Sequence, residues 1–472
     1  MSALPQFVSK KQNAPEKIPA GGRRRDFSEI YRQFSQERAK EQASRCSQCG
    51  VPFCQVHCPL GNNIPDWLKL VSEDRLEEAY RISSATNTFP EICGRICPQD
   101  RLCEGNCVIE KGFGSVTIGA VEKYITETAF DMGWVKPPAP ERENGISVGI
   151  IGAGPAGLAA ADILRRKGYE VHIYDRYDRI GGLLIYGIPN FKLEKTVIER
   201  RRVLLSQAGI RFHPNFEIGK QATLQELQNR HAAVLIATGV YKARTIDIPD
   251  TSLTGIFPAL EYLTASNKTC LGDRVPEYEN GSLNAKNKHV VVIGGGDTAM
   301  DCVRTAVRQG AKKVTCLYRR DRANMPGSQR EVSNAEEEGV EFLWLSAPKA
   351  FAGNGKIEKI LTVKMRMGVQ DASGRHSPVA IENSGFDLKA DMVIEALGFD
   401  AEDIPAAFGA PEITLSRQGT IAVNHATLMT SLSGVFAAGD IVRGASLVVW
   451  AIREGRGAAE SMDRWLMVQK AT

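Results

Sequence analysis

The 472-residue chain has no run of about 18 consecutive apolar residues, the length a helix needs to cross a bilayer. Near its start, Lys10, Lys11, Gln12 and Asn13 stand where a secretory signal would need its apolar stretch. A soluble, cytoplasmic protein with no membrane contact is therefore expected. Charge of one sign is also lacking: 59 Lys and Arg face 55 Asp and Glu, a formal net charge of +4. That balance argues against nucleic acid as a partner. The short basic run Arg23-Arg24-Arg25 reads as a solvated loop. After residue 107 cysteine almost disappears, with only Cys270, Cys302 and Cys316 left, widely separated.

Apolar residues make up 43% of the chain, and the length allows about two to four domains. Residues 27 to 130 read as helix and loop. One helix is expected to open at Asp26-Phe27-Ser28-Glu29-Ile30 and run towards Ala43, another covers Ile64 to Tyr80, and no convincing strand is present. Val135-Lys136-Pro137-Pro138-Ala139-Pro140 breaks regular structure and reads as a linker. Beyond it, apolar strands alternate with helices, the pattern of βαβ units in a parallel sheet. Ile146–Ile151, Pro155–Lys167 and Val171–Tyr174 form one such unit; His289–Ile293, Thr298–Gln309 and Val314–Tyr318 form the other. Two units so far apart indicate two nucleotide-binding domains rather than a solenoid. Residues 348 to 390, with Gly353–Lys356 and Ala372–His376, read as a strand-and-turn part of the second domain.

Each unit carries a glycine loop between its first strand and its helix. The first is Gly152-Ala153-Gly154-Pro155-Ala156-Gly157, with the spacing a dinucleotide requires: a tight turn, a close backbone approach to pyrophosphate, and close helix–strand packing. The pyrophosphate then meets the positive end of the helix. Strand two ends at Asp175, whose carboxylate can accept hydrogen bonds from a ribose diol. The second loop is Gly294-Gly295-Gly296-Asp297-Thr298-Ala299, in which alanine takes the third glycine's place. Its second strand ends in Leu317-Tyr318-Arg319-Arg320. Guanidinium groups there suit a 2′-phosphate, which a carboxylate would repel. The economical assignment is FAD on the first loop and NADPH on the second, with hydride passing from nicotinamide to flavin. That transfer needs orientation more than acid–base residues.

Ala237-Thr238-Gly239 and Ala396-Leu397-Gly398 each follow an apolar strand, and Gly434-Val435-Phe436-Ala437-Ala438-Gly439-Asp440 runs into a helix from Ser446 to Met462. With the two glycine loops, these segments resemble the two-dinucleotide-domain flavoproteins, which include thioredoxin reductase. The resemblance implies an NADPH domain inserted into the FAD domain. It places Asp440, after Gly439, on the ribityl chain and the backbone of Ser446 and Leu447 at the flavin edge. Gly182, Thr238 and Gly239 complete the expected FAD set. The domains expected are 1–140 (clusters and linker), 146–284 (FAD, first part), 285–396 (NADPH) and 397–472 (FAD, second part). Thioredoxin reductase itself is disfavoured, because Cys302 and Cys316 form no C-x-x-C pair and read as buried small apolar side chains.

Eight cysteines lie between residues 46 and 107, as Cys46-x2-Cys49-x4-Cys54-x3-Cys58-Pro59 and Cys93-x3-Cys97-Pro98-x4-Cys103-x3-Cys107. In a cytoplasmic chain such clustering points to metal rather than disulfides. Zinc sites pair two short knuckles across a longer spacer. Here four cysteines crowd into 13 residues and one group ends in Cys-Pro, closer to a ferredoxin run. A downstream flavin also gives an iron–sulfur cluster electrons to carry, which zinc cannot do. His57, between Cys54 and Cys58, reads as a supporting or surface residue.

Taken together, the cysteine groups, the linker and the two loops resemble the small subunits of NADPH-dependent glutamate synthase over essentially the full length. Dihydropyrimidine dehydrogenase (N-terminal half) and the ferredoxin:NADP oxidoreductase large subunit are relatives. The resemblance implies an α-helical domain with two [4Fe-4S] clusters, followed by two α/β Rossmann-like domains. One cluster would be held by Cys46, Cys49, Cys54 and Cys107; Cys58, Cys97 and Cys103 would hold three corners of the other. Its fourth ligand is Cys93 by counting. Family members can instead use an oxygen side chain after a segment like Gly114-Ser115-Val116-Thr117-Ile118-Gly119, which favours Glu122. The implied role is electron input to a large subunit that makes L-glutamate from 2-oxoglutarate and L-glutamine, for which this chain has no glutaminase nucleophile. A bifurcating or ferredoxin-linked NADPH oxidoreductase is the alternative, and a non-catalytic scaffold a more distant one.

Overall fold

The computed structural model describes residues 6–370 and 376–471. The expected turn at Ala372–His376 therefore lies, except for His376, outside the described residues. The N-terminal region is a set of helices, principally Gln36–Ala43, Ile64–Ser72, Leu76–Thr86, Pro90–Ile96 and Ile118–Asp131. They close around Trp67, Leu68, Val71, Val121 and Ile125. Between residues 6 and 135 the only β pairing among the described residues is an isolated bridge, Lys17 to Tyr31.

Two helix readings need correction. The helix expected to run towards Ala43 begins at Gln36, where Ser35 Oγ accepts the Arg38 N–H at 3.3 Å, rather than near Asp26. Residues 26–34 are drawn into tertiary pairing instead: Ile30 N–H donates to Phe191 O, and Glu29 binds Arg95 and Lys123. The expected Ile64–Tyr80 helix is broken at Asp74, whose φ of 59° cannot continue a right-handed helix.

The first α/β unit is a five-stranded parallel sheet ordered Val435–Ala437, Ala233–Ile236, Ser147–Ile151, Glu170–Tyr174, Arg211–His213. The second has the parallel order Ile256–Pro258, Met392–Glu395, His289–Ile293, Lys313–Leu317, Glu341–Leu343. A four-stranded antiparallel sheet from Ser346 to Lys389 packs on it through Phe351 and Ile360. The central strands Ser147–Ile151, Ala233–Ile236, His289–Ile293 and Met392–Glu395 read as near-continuous apolar runs because they are buried on both faces.

The two connections between the units run side by side, Lys242–Ala243 pairing antiparallel with Phe399–Asp400. The second unit is thus an insertion in the first, whose last strand comes from after it. This moves the expected 284/285 boundary. Ile256–Pro258 belongs to the inserted sheet, and Ala259, Tyr262 and Leu263 pack in its core.

The cluster domain is joined to the rest by burial as well as by the linker. Phe89, Ile92 and Cys93 belong to the same core as Val148, Ile150 and Leu158, and Glu91 makes a bidentate, fully buried pair with Arg201 at 2.7 and 2.9 Å. The Arg23–Arg25 run is not uniformly solvated: Arg23 is 2% exposed and pairs with Glu337, while Arg24 and Arg25 are exposed. Among the described residues no helix is long and apolar enough to cross a membrane.

Candidate active site

The first glycine loop shapes a cavity in the first α/β unit. Gly152 has φ +108°, and a Cβ there would lie 2.4 Å from Ala237 O, so only glycine fits. A Cβ at Gly157 would meet Gly152 O at 2.0 Å, whereas one at Gly154 would meet nothing. That open space lets a ligand approach the N-terminus of helix Pro155–Arg166, where Gly154 is the N-cap residue. Gly152, Gly154, Pro155, Ala156, Asp175, Thr238, Gly239, Gly439, Asp440, Ser446 and Leu447 all line the cavity; Gly182 sits against Gly154 Cα beside it.

Asp175 Oδ2 accepts the Ala153 N–H at 2.7 Å and Oδ1 the Tyr177 N–H at 2.8 Å. Burial pushes its carboxyl up, and these two N–H groups partly offset that. Each oxygen keeps a second lone pair for a ribose hydroxyl. Asp440 is pushed to about 6 by burial, against the pull of the Ser446 N–H. Sequence reading missed Arg176, Tyr177 and Tyr241, where the guanidinium carbon lies 5.3 and 4.9 Å from the two ring centroids. Their signal was the aromatic residue that closely follows each motif, Asp175 and Gly239.

The second loop repeats the construction. Gly294 has φ +145°, and its Cβ would lie 2.3 Å from Ala396 O, the counterpart of Gly152 against Ala237. Gly296, the N-cap residue of helix Asp297–Arg308, again faces open space. Asp297 Oδ1 is occupied by the Ser328 N–H at 2.9 Å. Arg319 is exposed at the end of strand Lys313–Leu317, and Arg320 Nε donates to His376 O at 3.1 Å. Cys302 and Cys316 lie fully buried in the core of this unit.

The thiols form two groups. Cys49 and Cys107 stand beside Cys46 and Cys54; burial first, then these neighbouring thiols, pushes Cys46 to about 11 and Cys54 to about 12. Cys58, Cys97, Cys103, Cys93 and Glu122 line a separate hollow. Burial, then Glu122 and Cys93, pushes Cys58 to about 11. Cys97 is raised first by its hydrogen bond with Cys93 and then by burial, and Cys103 by burial. Burial pushes the Glu122 carboxyl to about 8, although Asn62 and Asn87 both donate to its Oε1. Thiols that burial raises, beside a buried carboxyl, suit a positive iron centre, which deprotonates the thiols it binds. Among the described residues no three His, Cys, Asp or Glu converge on a single-ion site; a cluster instead takes its ligands on separate corners. His57 is exposed and holds Phe53 O with Nδ1.

A third cavity lies where the three domains meet. Cys93, Cys97, Asp297, Thr298, Leu183, Ser446, Leu447, Val448 and Val449 all border it. Leu183, Ser446, Leu447 and Val448 also line the first loop's cavity, and Val449 also lines the Cys58/Glu122 hollow. The helix Val448–Ala471 starts two residues later than Ser446, leaving Ser446 and Leu447 in the preceding loop. Gly455 lets that helix lie on Ala156, since a Cβ would come 2.1 Å from Ala156 O.

The family described as dihydropyrimidine dehydrogenase domain II, 4Fe-4S cluster, matches residues 23–134. The pyridine nucleotide-disulphide oxidoreductase family matches residues 146–455. Over 460 residues the chain is 68% identical to the glutamate synthase [NADPH] small chain of Azospirillum brasilense, spanning 97% of this chain and 95% of that one. The chain belongs to the glutamate synthase small-chain family. The Escherichia coli (strain K12) member is 46% identical over 468 residues, 98% of this chain and 99% of its own. Mycobacterium tuberculosis FprA in complex with NADPH shares the fold, with a TM-score of 0.59 at 19% identity over 70% of this chain and 86% of that one. As a family member the chain is an oxidoreductase that joins an iron–sulfur domain to a flavin- and pyridine nucleotide-binding unit.

Proposed function

We propose that the chain is the NADPH-oxidising, electron-input subunit of a glutamate synthase. In this reading FAD lies along Gly152–Gly157, Asp175, Gly182, Thr238, Gly239, Gly439, Asp440, Ser446 and Leu447. NADPH lies on Gly294, Gly296, Asp297 and Thr298, with Arg319 and Arg320 at its 2′-phosphate. One [4Fe-4S] cluster is held by Cys46, Cys49, Cys54 and Cys107. A second is held by Cys58, Cys97, Cys103 and Glu122. The single observation that carries the reading is that the Ser446–Val449 segment borders the first-loop cavity, the central cavity and the thiol hollow together.

Bound FAD supplies the change from accepting a hydride to releasing single electrons, which the clusters can carry. The protein's own part is binding, orientation and exclusion of water. The N-termini of the helices after Gly154 and Gly296 attract pyrophosphate, and Leu183, Leu447 and Val448 supply apolar lining to both the first-loop cavity and the central one. The electrons then pass to a large subunit making L-glutamate from 2-oxoglutarate and L-glutamine, in the cytoplasm, where the thiols stay reduced. Anaerobic purification with iron, sulfide, zinc and flavin assays, followed by NADPH addition, tests the reading. Iron, labile sulfide and a flavin bleached by NADPH support it; a colourless protein holding zinc without labile sulfide refutes it.

A further inference from the structure

The inserted domain is tied to the FAD unit through a two-residue ladder, Lys242–Ala243 against Phe399–Asp400. Such a narrow connection does not by itself fix the angle between two domains. The inserted domain's helix Gln329–Glu337 is, however, held at both ends by residues from outside that domain. At its start, the Asp100 carboxylate accepts Ser328 Oγ–H at 3.1 Å and the Gln329 N–H at 3.2 Å. Arg330 donates to Gln99 at 2.9 Å and Glu104 at 2.9 Å. Gln99, Asp100 and Glu104 belong to the Cys97–Cys107 stretch of the cluster domain. Towards its end, Arg23 and Lys17 both grip Glu337, and both also donate to Asn334 Oδ1, at 3.3 and 3.1 Å. Asn334 Nδ2 in turn donates to Tyr31 OH at 3.0 Å.

The strap that carries Lys17, Arg23 and Tyr31 continues into the FAD unit. Phe27 O accepts from Asn190 and Ile30 N–H donates to Phe191 O. The next residue, Lys192, pairs with Asp301 of the inserted domain's helix Asp297–Arg308 at 2.8 Å. The glycine loop joins the same system, because Ser328 holds both Asp297 and Asp100.

We propose that helix Gln329–Glu337 is a docking key, through which the cluster domain and the 17–31 strap position the NADPH domain for hydride transfer. Arg23 and Asp100 are its positioning residues. The proposal rests on the assignment of Gly294–Thr298 as the NADPH site. Hydride transfer demands near-contact geometry, and a misplacement of about 1 Å can cost on the order of 100-fold in rate. Loosening the key therefore slows the transfer without removing the groups that bind the nucleotide.

Stopped-flow bleaching of flavin by NADPH, on the whole chain with flavin and iron loaded, tests this. For Arg23→Met the limiting rate is expected to fall at least ~10-fold, the NADPH concentration giving half that rate staying within ~3-fold. Arg23→Lys is expected to recover most of the rate. If Arg23→Met does not fold, the same readings are taken on Lys17→Met combined with Ser328→Ala, whose contacts lie nearer the surface. An unchanged limiting rate, or a loss confined to half-saturation, overturns the proposal. If the unaltered chain is itself not bleached by NADPH, the site assignment falls and the proposal with it.

Discussion

Asn87 Nδ2 donates to Glu122 Oε1 at 3.2 Å, in the hollow that Glu122 shares with Cys58, Cys97 and Cys103. Asn62 holds the same oxygen at 3.3 Å. Cys93 borders the hollow too, but it lies in the core beside Phe89 and Ile92 and is hydrogen-bonded to Cys97. An oxygen ligand alters a cluster's potential relative to four thiolates. Glu122→Ala is expected to change one cluster's EPR signal in the photoreduced protein, while Cys93→Ser leaves both signals in place. The reverse pattern makes Cys93 the ligand.

Gly152 and Gly294 make the same contact in the two units, which separates the two nucleotides experimentally. Alanine at either position places a Cβ within 2.4 Å of a carbonyl oxygen and keeps a positive φ, strain on the order of 1–3 kcal/mol before any loss of ligand. Gly152→Ala is expected to purify without flavin absorbance. Gly294→Ala is expected to keep its flavin yet resist bleaching by NADPH. Matching outcomes for both variants would show that the loops do not serve different nucleotides.

Arg319→Ala with Arg320→Ala is expected to raise KM for NADPH at least ~10-fold and to leave KM for NADH nearly unchanged. A lost charge-assisted hydrogen bond costs about 1.5–3 kcal/mol. Steady-state kinetics with an artificial acceptor measures both values. Equal effects on the two coenzymes would remove these arginines from 2′-phosphate recognition.

His231 sets an acid limit on the FAD unit. Its Nδ1 meets Ser147 Oγ at 2.8 Å and its Nε2 meets Tyr174 OH at 2.9 Å. Burial first, then His172, Arg230 and His213, holds it down to about 4, with Glu170 opposing. The unfolded chain binds the proton at a higher pH, near the ordinary 6.5, so stability is expected to fall as pH drops from there towards 4. Thermal unfolding followed by flavin release should show this slope, and His231→Gln should flatten it. An unchanged slope would place the acid limit elsewhere.

Much of the α/β portion could be read directly from the chain. The Val/Ile runs before Gly152 and Gly294 fall within a residue of the observed strands, because continuous apolar runs bounded by glycine leave few alternatives. The cysteine groups likewise separated the first domain. What escaped was set by tertiary contacts. Ile256–Pro258 is too short to announce which sheet it joins, and its pairing with Met392–Glu395 decides the matter. Asp26–Phe34 has helix-compatible residues, yet Glu29 binds Arg95 and Lys123 across the domain. Arg23 resembled surface charge until Glu337, more than 300 positions away, supplied its partner. The Ser446–Val449 segment was visible as a flavin neighbour, but its position between three cavities depends on how all three domains meet.

The central claim is that reducing power enters at the Gly294 loop and leaves through the thiol domain to a second chain. Mixing this chain anaerobically with a glutamate synthase large chain, NADPH, 2-oxoglutarate and L-glutamine, and measuring L-glutamate against NADPH consumed, tests it most directly. L-glutamate is expected only when both chains are present, in proportion to the NADPH oxidised. Glutamate formed by this chain alone, or NADPH oxidised by the pair with none formed, would contradict the account.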